Sequence, residues 1–224
     1  MLSRLPRRLI LPVVAGVLVM AACDDDDPVA PPPPPPAATT DTFTATLASL
    51  NGGTATGTAT FLVTEDDDEF IAQVQVAGAD TSIAHLQHVH FGSSCPDSAA
   101  ADTNSDGFID ALEGIPTYGL ILVPLDGDLS SQAAGSTTFP TADATGAYTF
   151  GDTVALSAVL TDLAAADPDP DDEITKLGSA TLSLENRTVV VFGVSDTTTL
   201  PTTVLSFTGS TAQASLPIAC GPID

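Results

Sequence analysis

Basic side chains are almost missing from this chain. Its 224 residues include 5 Lys and Arg against 29 Asp and Glu, a formal charge of −24. Three of the five are Arg4, Arg7 and Arg8 at the extreme N-terminus, so the remainder carries only Lys176 and Arg187. A polyanion of this kind cannot neutralise phosphates, which argues against nucleic acid or an anionic lipid surface as a partner. It favours cations, or simple solubility in a salty medium. Motifs of catalysis are also lacking. There is no Gly-x-Ser-x-Gly elbow, no His-Glu-x-x-His pair and no phosphate-binding glycine loop. Histidine and cysteine are limited to three residues each.

Long apolar runs are confined to Leu9–Met20, interrupted by Pro12 and Gly16. After the arginines this reads as a secretory signal over residues 1–22, too short to span a bilayer comfortably. Met20-Ala21-Ala22-Cys23 resembles a bacterial lipobox, which implies a diacylated Cys23 and a lipid-anchored protein of the cell envelope. If Cys23 carries lipid, Cys95 and Cys220 remain as one pair in an oxidising compartment. A crosslink over more than a hundred residues would nominally stabilise the fold by about 4–5 kcal/mol. Residues 23–42 hold Asp24 to Asp27 and then six prolines, Pro31 to Pro36. Such a segment cannot bury a core, and it reads as an extended, semi-rigid tether.

From residue 43 to 224 the text is rich in Thr, Val, Ala and Gly with period-two alternation. Strands are expected at Phe43–Leu47, Ala55–Val63, Phe70–Val76, Ala84–Phe91, Tyr118–Val123 and Ala147–Phe150. Others are expected at Val154–Leu160, Ser179–Leu184, Thr188–Val194 and Ser215–Ala219. Short strands at this spacing predict an all-β domain, an antiparallel Greek-key sandwich or barrel. Residues 93–116 and 167–173 read as loops, with one short helix at Leu160–Ala166.

The sharpest local pattern is Asp102-Thr-Asn104-Ser-Asp106-Gly107-Phe108-Ile109-Asp110-Ala-Leu-Glu113, which fits the twelve-residue EF-hand loop. Asp102, Asn104 and Asp106 would give side-chain oxygens and Phe108 its carbonyl. Asp110 would act directly or through water, and Glu113 would close the site as a bidentate ligand. Gly107 allows the sharp bend, and Ile109 faces inward. Hard oxygens at this spacing suit calcium. Cys95-Pro96 before the loop and Gly114 and Pro116 after it predict a lone loop inserted between strands, without flanking helices.

All three histidines fall in Ala84-His85-Leu-Gln-His88-Val-His90-Phe91-Gly92. On a strand His88 and His90 share a face, the beginning of a copper or zinc site, while His85 has the opposite parity. His88-Val-His90 with the nearby Cys95 is similar to the copper strand of copper/zinc superoxide dismutase. Arg187-Thr-Val-Val-Val-Phe192-Gly193 and Ala219-Cys220-Gly221 resemble that family's late metal-bearing strand and its C-terminal cysteine segment. The chain also resembles the chordin-type (CHRD) domain of bacterial lipoproteins, through Phe43-Thr-Ala-Thr-Leu47, Gly57–Phe61 and the histidine strand. Both resemblances imply a Greek-key sandwich. Dismutase copper needs four histidines, one of them bridging to zinc. Here there are three, and Phe192 stands where the late-strand ligand would be.

The expectation is therefore a non-catalytic, calcium-binding envelope lipoprotein, serving adhesion, matrix contact or structural display. It would touch the membrane only through its anchor. An extracellular protein or matrix component would be its partner, and any small-molecule ligand is unspecified. The alternative is a copper- or zinc-handling redox protein using His88 and His90.

Overall fold

The computed structural model describes residues 38–131, 138–165, 172–178 and 181–224. The signal at 1–22, Cys23 and most of the 23–42 tether lie outside the described residues, as does most of the 167–173 loop. One compact unit, Ala37–Asp224, contains everything described.

Eight strands form the domain: β1 (Thr40–Ser49), β2 (Thr56–Thr64), β3 (Glu69–Ala77), β4 (Gln87–His90), β5 (Ile121–Pro124), β6 (Tyr148–Ala155), β7 (Thr188–Phe192) and β8 (Pro217–Pro222). They pair antiparallel in the order β5-β4-β7-β8-β1-β2-β3-β6, curled into a half-barrel. The all-β class expected from the alternation is what the chain adopts. β1 links the two halves. Its residues Thr40–Leu47 pair with β2, and Ala48 and Ser49 pair with β8.

Alternation explains the β1-β2-β3-β6 half directly. Ala45 and Leu47, Ala59 and Phe61, and Phe70, Ala72, Val74 and Val76 all point inward, while intervening Thr and Gln residues face solvent. The Phe61 and Phe70 rings stack at 6.1 Å, and burying each contributes about 1.5–3 kcal/mol.

The other half is buried on both faces, since every residue of β4, β5 and β7 is covered. Val89, Val189 and Val191 enter the main core. Val190, Phe192 and Cys220 face outward into a second apolar layer with Ala111, Tyr118, Ile121 and Phe207. That outer layer is roofed by the segment expected to be a bare loop. It contains two helices, α1 (Ser98–Ala101) and α2 (Ala111–Tyr118). Tyr118, expected to open a strand, instead ends α2, and β5 starts three residues later. Cys95 and Cys220 form the disulfide that cysteine counting implied, closing a separation of 125 residues.

Four other expectations are corrected. The strand at Ala147–Phe150 continues to Ala155, so no separate strand occupies Val154–Leu160. Helix α3 (Leu156–Ala164) begins there, earlier than expected, burying Leu156, Val159 and Leu163. Its start is fixed from the β2–β3 hairpin tip, where Asp68 accepts from the backbone N–H of Ser157 at 2.6 Å and from its hydroxyl at 2.7 Å. No strand forms over the described part of Ser179–Leu184, where Ser183 is left-handed (φ 49°) and a 3-10 turn covers Leu184–Asn186. The first strand also begins at Thr40, inside the expected tether.

Candidate functional site

The acidic loop and the histidine pair lie in the same outer layer, joined by α2. At the loop, short polar side chains bond back to their own backbone, as Asp and Asn do in tight turns. The two Asp102 carboxylate oxygens accept from the N–H groups of Asp106 (3.1 Å) and Gly107 (2.9 Å). Asn104 Oδ1 also accepts from Asp106 N–H, and Asp106 Oδ1 from Phe108 N–H. Gly107 supplies the bend with φ 93°, where a side chain would be strained. Ile109 is 1% exposed, pointing inward as expected.

Asp110 then caps α2. Its Oδ1 accepts from Leu112 and Glu113 N–H, both at 2.9 Å, and Glu113 returns the bond to Asp110 N–H at 3.2 Å, a capping box. Gly114 and Pro116 do not prevent the helix. Gly114 is required in it, because a Cβ there would collide with the Tyr118 ring, whose hydroxyl donates to Ala111 O at 2.6 Å. The other Glu113 oxygen reaches the start of the loop, accepting from Thr103 N–H, Thr103 hydroxyl and Asn104 N–H. Glu113 thus ties both ends of the loop together.

A segment that sequence spacing gave no reason to notice also touches the loop. Thr203 hydroxyl donates to Asp106 Oδ2 at 2.6 Å, and Leu205 N–H donates to Asp110 Oδ2 at 2.8 Å. The Thr203 bond, more than any other contact, lowers the Asp106 carboxyl below the usual carboxylate range. All six expected calcium ligands therefore belong to one closed turn. The side-chain oxygens of Asp102, Asn104, Asp106, Asp110 and Glu113 are used as hydrogen-bond acceptors, and among the described residues no three His, Cys, Asp or Glu side chains converge on a metal position. The donor set fits a hard cation in kind and number, and Glu113 would have to turn from Thr103 towards the loop centre to complete it.

The histidine pair is built by parity. With Val89 turned into the main core, His88 and His90 project into the outer layer, ring centroids 5.6 Å apart. Phe192 packs against both rings at 5.5 and 5.8 Å, Phe139 and Phe207 against His88, and Tyr118 against His90 at 4.6 Å. His90 Nδ1 lies 2.9 Å from Gly119 O, which fixes the proton on that nitrogen. His90 Nε2 and His88 Nδ1 are buried without a hydrogen-bond partner. His85 is separate. It stacks on Tyr148, and its two ring nitrogens face the carbonyls of Phe192 and Asp80.

Burial holds both members of the pair neutral. Desolvation, then the neighbouring His90, lowers His88 well below the ordinary value, and desolvation lowers His90 to about 4. The unfolded chain takes up a proton near pH 6.5, which the folded state accepts only near 4. The His90 contribution is therefore complete above about pH 6.5 and is lost as pH falls towards 4, and the lowered His88 acts in the same direction. For His90 alone the loss is about 3 kcal/mol. Urea melts of chelator-treated protein at pH 7.5 and 4.5 should show it, and His90→Gln should flatten the slope. An unchanged slope would place the acid sensitivity elsewhere.

Both basic side chains of the domain serve the scaffold. Arg187 donates to Leu182 O and Phe91 O and lies 4.7 Å over the Phe91 ring, and Lys176 pairs with Asp162 at 2.7 Å. No family model matches the chain, and no curated protein matches it either.

Proposed function

We propose that residues 102–113 bind one calcium ion as a structural clamp in a non-catalytic envelope lipoprotein. The observation that carries this is the closed turn itself. Asp102, Asn104, Asp106, the Phe108 carbonyl, Asp110 and Glu113 are collected from just after α1 to the first turn of α2, with Gly107 at the bend. Calcium would draw Glu113 inward and replace its bonds to Thr103 and Asn104, stiffening the roof over the outer layer. Adhesion, matrix contact or structural display is the role that suits an acidic β domain carried on a lipidated Cys23 and a proline tether. The antiparallel half-barrel accords with the resemblance to chordin-type and dismutase-like sandwiches. Calorimetric titration of metal-free protein should show one calcium site with Kd of about 10⁻⁴–10⁻³ M. Asp102→Ala should abolish that heat. Equal binding by wild type and variant would move the site off this loop.

A second proposal rests on the buried, partnerless nitrogens of His88 and His90. Two neutral imidazoles among aromatic rings suit monovalent copper better than zinc, which ordinarily takes four ligands. Copper(I) competition against a chromophoric chelator tests it, with His88→Phe as the control. Copper retained equally by that variant would exclude the pair.

A further inference from the structure

We infer that Asn51 is the positioning residue of the calcium loop, its carboxamide pairing with Ile109 as a neighbouring strand would. This rests on the calcium proposal above and extends it to a residue 58 positions before Ile109 in the chain. Asn51 Oδ1 accepts from Ile109 N–H at 2.7 Å, and Nδ2 donates to Ile109 O at 2.9 Å. The second Nδ2 proton goes to Pro217 O at 2.9 Å, at the start of β8. One side chain thus satisfies both backbone groups of Ile109 and fastens them to the sandwich.

Ile109 lies between Phe108 and Asp110, two of the proposed ligand positions. Fixing its peptide groups on both sides fixes the Phe108 carbonyl and the Asp110 backbone together. The requirements on residue 51 are unusual. It sits in a left-handed turn at φ 54°, which Asn tolerates better than most residues, and it must offer an acceptor and two donors in one plane. Asparagine meets both demands; aspartate keeps the turn but loses the donors. The loop is accordingly pinned at two places on β8, through Cys95–Cys220 before it and through Asn51–Pro217 at its middle.

The test is Asn51→Gly, which preserves the left-handed backbone and removes only the amide. Calcium affinity should fall about tenfold, a part of the worth of the three hydrogen bonds lost. The melting temperature in EDTA is read in parallel to establish that the variant is folded. Hydrogen exchange on the metal-free wild type gives an independent reading, since the Ile109 amide should exchange as slowly as the amides of β2 and β3. Unchanged calcium affinity in a folded N51G, or fast exchange at Ile109, overturns the inference. A wild type that binds no calcium, with Ile109 still protected, removes the calcium role and leaves only a structural dock.

Discussion

With Cys95 and Cys220 both replaced by alanine, the domain should melt about 10–20 °C lower than the wild type. The crosslink closes 125 residues, and loop-closure entropy on that scale corresponds to about 5 kcal/mol. For a domain of this size each kcal/mol moves the midpoint by about 2–4 °C. The effect should be local as well as global. Cys220 is buried in β8, and Cys95 stands just before α1, so the bridge holds the beginning of the 93–118 roof against the sheet. Without it, the outer layer of Tyr118, Phe192 and Phe207 should be the first to accept a hydrophobic dye on heating. A shift below about 3 °C would mean that the unfolded chain is already constrained there, or that Asn51 and the 203–205 segment suffice to hold the roof.

Glu113→Ala should have the second large effect. In the metal-free protein it removes four hydrogen bonds, three to Thr103 and Asn104 and one to Asp110 N–H. Loss of the capping box and of the loop closure together should cost about 1–3 kcal/mol. In calcium the difference should widen, because the proposed bidentate ligand is gone as well. Glu113→Gln separates the contributions, since it retains an acceptor for Thr103 but lacks the charge. Comparable melting of Glu113→Gln with and without calcium, beside a calcium-dependent rise in the wild type, is the expected pattern. A calcium response surviving in Glu113→Ala would show that the ion sits elsewhere.

Much of the fold is legible because one face of β1, β2 and β3 is wet, and alternation of Thr or Gln with Ala, Phe or Val declares the strand. The doubly covered half is harder. Val189–Phe192 reads as apolar throughout, and nothing in it announces that Val190 and Phe192 belong to a second layer. The error at Val154–Leu160 has a physical cause. The short run from Val154 to Leu160 suits strand or helix equally, and the decision comes from Asp68, 89 residues away from Ser157, which caps the helix. Gly114 and Pro116 concealed α2, since the clash that forbids any other residue at 114 involves a ring four positions on. The EF-hand-like spacing of the acidic loop is visible in the sequence. Its anchors Asn51, Thr203 and Leu205 are not, because they arrive from turns and loops that only the sheet order brings near. His88 and His90 were legible by parity, whereas their burial depended on the unforeseen roof.

The most direct test of the clamp is the melting temperature of the domain, residues 37–224, across calcium concentrations, with bound calcium measured at equilibrium in 10 mM calcium and copper or zinc measured after dialysis. At 10 mM calcium, a site with Kd of about 10⁻⁴–10⁻³ M adds about 1.4–2.7 kcal/mol, a rise of about 3–10 °C. One calcium bound at equilibrium with that rise, absent in Asp102→Ala, is the result expected. An unchanged midpoint across calcium concentrations, with copper held tightly and lost on replacing His88, would contradict it.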